Sequence, residues 1–230
     1  LIDVLYHVVR YFSLRRKVKL VATFKADTAT LLDVGAGTGY FTRAAKKGGW
    51  VAKGIEPNST ARGLANDKSY NSVFSEKMLN SFPTASFDVI TLWHVLEHLP
   101  NLDKDIKTFK KLLKPNGRII VAVPNFKSYD ARHFKKFWAA YDVPRHLWHF
   151  SKESIPKVFS RVQMSLESTH PMLMDAYYVS MLSNKHKTGS HKVFSSLCTG
   201  FLSNLKALKT GEYSSLIYVL KNNSWRSKAL

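Results

Sequence analysis

The sequence predicts an α/β fold: a doubly wound, mostly parallel sheet with helices on both faces and a helical, aromatic cap. Three observations point to it. From Thr30 to Val123 short apolar runs alternate with helical patterns: LLDVG, TRAAKK, WVAKGIE, NSTARGLAND, SVFS, FDVITLW, LDKDIKTFKKLL and RIIVAVP. Strands that read as continuous apolar runs are those covered on both faces by crossover helices. A glycine-rich turn, GAGTG at 35 to 39, follows the first of these strands and opens a helix. Finally, 230 residues with 45% hydrophobic side chains bury a full core as one large domain, or one domain with an elaborated cap, without disulfide staples.

Taken in order, residues 1–28 read as an N-terminal helical segment, with Leu5, Val8, Val9 and Phe12 on one face and Arg10, Arg15, Arg16, Lys17 and Lys19 largely off it. Residues 29–124 hold the strand–helix alternation. The rhythm breaks at 125–150, NFKSYDARHFKKFWAAYDVPRHLWHF, which is dense in aromatic and basic residues and has no clean period; it reads as a functional loop or cap. Residues 151–224 return to the core, with a helix over 152–160, a strand near 162–168, helical patterns at 174–184 and 192–208, and a last strand in SSLIYVL at 214–220. The segment 171–211, with Lys185, His186, Lys187, His191, Lys192, Lys206 and Lys209, reads as a helical lid with a solvated basic face. Residues 225–230 form a tail that frays.

Composition narrows the setting. The single cysteine, Cys198, excludes an internal disulfide framework and a cysteine-based zinc site, and fits a reducing compartment, with the cytoplasm as default. There is no apolar run of about 18 residues or more, so no membrane span is expected. Thirty-five Lys and Arg against sixteen Asp and Glu give a net charge of +19, a field that favours anionic partners without naming one. The chain does not begin with Met, so an upstream piece is a further expectation.

In LLDVGAGTGYF, Gly35, Gly37 and Gly39 let the backbone turn sharply and approach a ligand, and the following helix offers unpaired N–H groups. The spacing is GxGxG, not the GxGxxG of dinucleotide enzymes. Asp33, at the end of the first strand, places a carboxylate where it accepts hydrogen bonds from a cationic amino group. Glu56 ends the second strand, where an acid reaches the ribose hydroxyls of an adenosine group. An enzyme of nicotinamide cofactors would place an acid there too.

Together, DVGAGTG, GIEP, FDVITLWHVLEHL and LLKPNGRIIVAVP resemble the signature blocks of class I S-adenosylmethionine-dependent methyltransferases, in the right order over about residues 30 to 124. The "LEH" after the fourth strand is similar to the subgroup around the ubiquinone-biosynthesis O-methyltransferase. The resemblance implies a Rossmann-like, seven-stranded sheet with its last strand antiparallel, and S-adenosylmethionine as cofactor. It implies that Asp33, Gly35, Ala36, Gly37 and Gly39 surround the methionine moiety, that Glu56, followed by Pro57, binds the ribose, and that Glu76, Lys77 and Met78 lie by the adenine. Glu76 stands where that family often has an aspartate, so backbone contacts at Lys77 and Met78 are the firmer expectation. Leu92, Trp93 and His94, leaving the fourth strand, lie beside the bound cofactor.

His94 to His98 also spell HxxEH, a zinc-peptidase pattern. Here it directly follows a strand and soon meets Pro100, leaving one short helical turn, so no metal is expected. His98 and His94 are the catalytic candidates; for His98 the role is general base, since an imidazole titrates near neutrality and takes a proton from a hydroxyl as the methyl group transfers, the alternative being a packing or capping histidine. In YDVPRHLWHF, Tyr141, Arg145, His146 and His149 are the candidate acceptor-binding residues, with Arg145 on an acidic group; a loop merely tied down by its polar groups is the alternative. The expected reaction moves a methyl group to a small acceptor, at oxygen before nitrogen or carbon. Two alternatives stand: an RNA methyltransferase that uses the basic surface, or a binding module that keeps the fold without catalysis. The sequence leaves the oligomeric state open.

Overall fold

The computed structural model describes residues 2–69 and 71–223; the expected tail at 225–230 lies outside the described residues. A single helix, α1 (Ile2–Ala22), leads into β1 (Thr30–Val34), α2 (Tyr40–Lys47), β2 (Val51–Ile55), α3 (Ser59–Ser69) and the short β3 (Val73–Phe74). A 3-10 turn at Glu76–Ser81 precedes β4 (Phe87–Trp93), and another at Leu96–His98 precedes α4 (Leu102–Leu112) and β5 (Leu113–Pro124). Then come α5 (Tyr129–Phe134), 3-10 turns at Lys135–Phe137 and Ala139–Tyr141, α6 (Ser154–Ser160), β6 (Met164–Pro171), α7 (Asp175–Thr188), α8 (Val193–Thr210) and β7 (Ser215–Asn222).

The seven strands lie in the order β3-β2-β1-β4-β5-β7-β6. β1 pairs in parallel with both β2 and β4, and β4 with β5, while β7 runs antiparallel between β5 and β6. The order reverses at β1, which opens a crevice beyond the carboxyl ends of β1 and β4, the usual ligand position in such sheets.

Period-two alternation sorts the apolar residues onto the two faces. Leu32, Ile90, Leu92, Ile119 and Val121 face α4 and α6, where Ile106, Phe109 and Phe159 meet them. Leu31, Val89, Ile120, Ala122 and Ile217 face α1 and α2, where Val21, Phe41 and Ala45 cover them. Phe12, expected on the packed face of α1, is instead exposed; the packing face runs through Leu14, Val18 and Val21. The side chains of Leu5, Val8 and Val9 lie outside what the structure describes.

The cap at 125–150 is more ordered than its lack of period suggests. Its ends are joined, since Phe126 N–H donates to the Phe150 carbonyl at 3.1 Å, and α5 and two 3-10 turns enclose a small core of Ala131, Phe134, Trp138 and Ala140. Asp130, fully buried, anchors it: its carboxylate accepts from Trp138 Nε1 at 2.8 Å, Ser203 Oγ at 2.7 Å and Ser214 Oγ at 2.8 Å, tying α5 to α8 and to the start of β7.

Candidate active site

The glycine loop leaves β1 with Gly35, Gly37 and Gly39 all at positive φ, the left-handed region that side chains resist. They differ in what surrounds them. A Cβ at Gly35 would stand 2.3 Å from Val95 Cγ2 and one at Gly39 would stand 2.9 Å from Ala65, so both are packing positions. A Cβ at Gly37 meets nothing within 4 Å and would project into open space. Ala36 N–H donates to the Ile55 carbonyl at 2.9 Å, docking the loop onto the end of β2.

Glu56 closes the crevice from β2. One oxygen accepts from Gly37 N–H at 2.8 Å and the other from Asn58 N–H at 2.9 Å, so its carboxylate is held at the loop with lone pairs still free. The Glu56 and Pro57 carbonyls take bonds from Arg62 Nη1. Asp33 is buried at the end of β1, where its two oxygens accept from Thr91 Oγ1 and Thr42 Oγ1, each at 2.9 Å. Burial raises its pKa to about 6, against the two hydroxyl bonds and the nearby Lys17, which pull it down.

Glu76 and Lys77 are exposed at the turn following β3, and Met78 packs partly against the core at the same edge. Leu92, near the end of β4, is fully buried. Trp93 stands edge-on to Phe41 at 5.2 Å, and its indole Nε1 is buried without a hydrogen-bond partner. An orphaned donor in this position is costly unless something else accepts from it. The open side of Gly37, the fixed carboxylate of Glu56 and this unpaired N–H fit a polar nucleoside lying across the ends of β1, β2 and β4.

Sequence reading missed Lys17. It lies on the packed face of α1 between Leu14, Val18 and Val21, and its ammonium sits 4.7 Å over the Trp93 ring. Burial lowers its pKa, while Asp175 and Asp33 hold the charge in place. The available signal was a lysine interrupting the 14–18–21 apolar stripe.

The histidines separate into two kinds. His94, at φ 57, ends β4 with Nε2 3.2 Å from Asp175 and Nδ1 3.4 Å from Glu97. Burial works against its charge, but the two acids outweigh it and raise its pKa to about 9. Near neutral pH His94 is thus an imidazolium with both N–H groups committed, which as placed holds a proton rather than takes one. Of the two catalytic candidates, His94 as placed has no free nitrogen to take a proton. Glu97 is buried with neither carboxylate oxygen hydrogen-bonded, and the His94 contact is electrostatic. Its carbonyl accepts from Leu147 and Trp148 N–H, stitching the cap to the turn after β4.

His98 is exposed, and its Nδ1 lies 3.0 Å from the Arg145 carbonyl. A carbonyl can only accept, so Nδ1 carries a proton, and in the neutral ring Nε2 is the nitrogen with the lone pair. His146 stands edge-on to it at 4.6 Å; its Nδ1 donates to the Ala140 carbonyl at 2.7 Å, and burial keeps its pKa below the usual value. Tyr141 packs edge-on to Trp138 and His149, and His149 Nε2 bonds the Tyr141 carbonyl. Arg145 is exposed and forks onto Asp142, so its guanidinium is engaged inside the loop. The structure thus brings His146 and the Arg145 carbonyl to His98, pairs Tyr141 with His149 within the same loop, and holds the glycine loop and Glu56 together at the neighbouring strand ends. Among the described residues, Glu97, His98 and His146 bring ligand-type atoms within 4.8 Å of one another; no metal was expected, and this donor set has the chemistry of a divalent cation site.

Residues 7–169 match the family model for the methyltransferase domain. The chain therefore belongs to that family, the class I S-adenosylmethionine-dependent methyltransferases. Among curated proteins it is 33% identical over 106 residues to the ubiquinone biosynthesis O-methyltransferase of Pseudomonas paraeruginosa, covering 42% of this chain and 44% of that one. To the enzyme of the same name from Methylococcus capsulatus it is 28% identical over 140 residues, covering 56% and 59%. The chain thus spans about half the length of the curated relatives it matches. Among solved structures, a SAM-dependent methyltransferase from Archaeoglobus fulgidus superposes with a TM-score of 0.62 at 19% identity, covering 92% of this chain and 94% of that one. Phosphoethanolamine N-methyltransferase 2 of Haemonchus contortus, solved with S-adenosyl-L-methionine, superposes at 0.59 and 14% identity, covering 90% and 52%. These likenesses establish the seven-stranded, Rossmann-like sheet.

Proposed function

We propose that the chain methylates an oxygen of a small acceptor held beneath the 125–150 cap, with His98 as general base. The observation that supports this best is the bond from His98 Nδ1 to the Arg145 carbonyl, which leaves Nε2 as the proton acceptor. When bound, S-adenosylmethionine supplies a methyl group already activated on a sulfonium, so the protein needs no covalent intermediate and gains most from alignment. Glu56 would accept from the ribose hydroxyls, and the open face of Gly37 gives the backbone close approach. Lys17 would hold the methionine carboxylate, with Asp33 and Asp175 balancing its charge once that group is absent. Leu92 and Trp93 form the wall by the reacting centre, and the Lys77–Met78 backbone borders the base. At the acceptor, His98 Nε2 takes the hydroxyl proton, and the neutral His146 beside it suits a second polar contact. The His94 imidazolium, locked between Asp175 and Glu97, acts as a positioning group for the turn that carries His98.

The reading is tested with methyl-labelled cofactor, the purified chain and fractionated cell extract. The expected result is label in a small hydroxyl compound, with the label stable to conditions that cleave esters. His98→Gln should lower kcat by about a hundredfold while cofactor affinity holds. Label appearing only in RNA, or full activity in His98→Gln, would defeat it.

A further inference from the structure

Helix α8 is amphipathic the wrong way round. The side it packs against the protein carries Ser196, Thr199, Gly200, Ser203 and Ala207, all buried and all small. Gly200 is close enough to α7 that a Cβ would fall 2.6 Å from the Tyr177 ring. Ser196 takes a bond from Asn184, and Ser203 donates to Asp130. The opposite side carries Phe194, Leu197, Phe201, Leu205 and Leu208, at helical spacing and 82, 42, 58, 49 and 71% exposed. Such a stripe normally faces a core. Leu173 and Met174, also exposed, adjoin it, since Asn204 on α8 donates to the Leu173 carbonyl at 2.9 Å.

Charge says what this face is suited to meet. Between Pro171 and Gly211 the sequence has five lysines and one acid, Asp175, which is committed to His94 in the crevice. Lys185, Lys187 and Lys192 are exposed around the turn into α8 and Lys209 is exposed at its far end, while Lys206 turns back with its ammonium 3.8 Å over the Tyr129 ring of α5, so cations bracket the apolar stripe at both ends. Pairing two copies through this face would set lysines against lysines in a chain already at +19. Nucleic acid would match the lysines but leave the leucines and phenylalanines in water. An anionic bilayer satisfies both, with the apolar side chains among the acyl chains and the ammonium groups at the headgroups. No described helix is long and apolar enough to cross a membrane, which leaves lying on the surface as the available geometry.

We infer that the exposed face of α8 is a docking surface for anionic lipid membranes, and that the protein binds there peripherally through Phe194, Leu197, Phe201, Leu205 and Leu208 with their flanking lysines. The inference is independent of the acceptor and of His98.

The test uses the full chain and flotation with vesicles of phosphatidylcholine alone or mixed with phosphatidylglycerol. The lone cysteine, Cys198, is exposed on α8 and offers a site for an environment-sensitive thiol dye as a second readout. The expected result is flotation and a blue-shifted dye only with the anionic vesicles, both reversed by high salt. The double substitution Phe201→Ser and Leu208→Ser should weaken binding by about tenfold or more. Its cofactor affinity should match that of the unaltered chain, which excludes misfolding as the cause. Absence of flotation, or flotation that the double substitution leaves unchanged, overturns the inference. So does a soluble dimer that the substitution splits, which assigns the face to a second copy, or salt-sensitive RNA binding without vesicle binding.

Discussion

In the crevice at the ends of β1, β2 and β4 the carboxylates are answered by close neighbours, the buried Asp33 by two threonine hydroxyls and the half-buried Glu56 by the Gly37 and Asn58 N–H groups, and the Trp93 indole N–H is left without a partner. In the α7–α8 hairpin small hydroxyls are buried and large apolar side chains are left outside. The first region has its rigidity within the fold and presents one open side to a ligand. The second keeps its most hydrophobic surface in reserve, at a cost that only contact outside the domain recovers. The two regions should therefore respond to substitution in separable ways.

The largest expected effect falls on the crevice. Gly37→Val should abolish measurable cofactor binding by calorimetry, since the side chain would fill the ligand's space. The domain should stay folded, because nothing lies within 4 Å and the left-handed backbone costs only about 1–2 kcal/mol. Unchanged affinity would remove the loop from the cofactor site. Next is the root of the cap. Asp130→Ala strips the acceptor from Trp138, Ser203 and Ser214 and should cost roughly 3 kcal/mol in urea unfolding. Hydrogen exchange should rise in the cap and α8 while cofactor affinity stays intact; a matching loss of affinity would show that the two regions are not separable.

A smaller effect is expected at Lys17. Lys17→Met should weaken S-adenosylmethionine by about tenfold, as for loss of one charge-assisted bond, while leaving methylthioadenosine, which has no carboxylate, unaffected. Equal weakening of both ligands would make Lys17 a packing residue. The smallest is a pH effect. His94 has its folded pKa raised to about 9 from an ordinary 6.5, so its contribution to stability is complete below about pH 6.5 and is lost as pH rises through 9. Thermal scans from pH 7 to 10 should show the decline, and His94→Gln should flatten it.

How far each region was legible follows from how local its logic is. The glycine loop and Glu56 could be read because two consecutive strand ends of one βαβ unit carry them, so chain order and spatial order agree. His98 was legible as a base candidate, but its tautomer was not, since the Arg145 carbonyl that fixes it comes from the distant cap. The charge on His94 was not legible for a related reason: the acid that favours it, Asp175, begins α7, across the crevice and far along the chain. Lys17 was assigned to a solvated face because Phe12 was taken to mark the packed one, and the actual stripe passes through Leu14 and Val18. In α8 the apolar pattern was plain, but which side faces inward was decided by the close approach of Gly200 to Tyr177 and by the reach of Asp130 to Ser203.

β6 and β7 are antiparallel neighbours, paired from Met164 with Asn222 to Pro171 with Leu216. A short reverse turn would join them equally well, so the ladder is complete without the helical excursion between them. That makes the turn between α7 and α8 a graft site: it can be lengthened or exchanged with every strand in register, provided that Asp175 stays on His94 and Ser203 on Asp130.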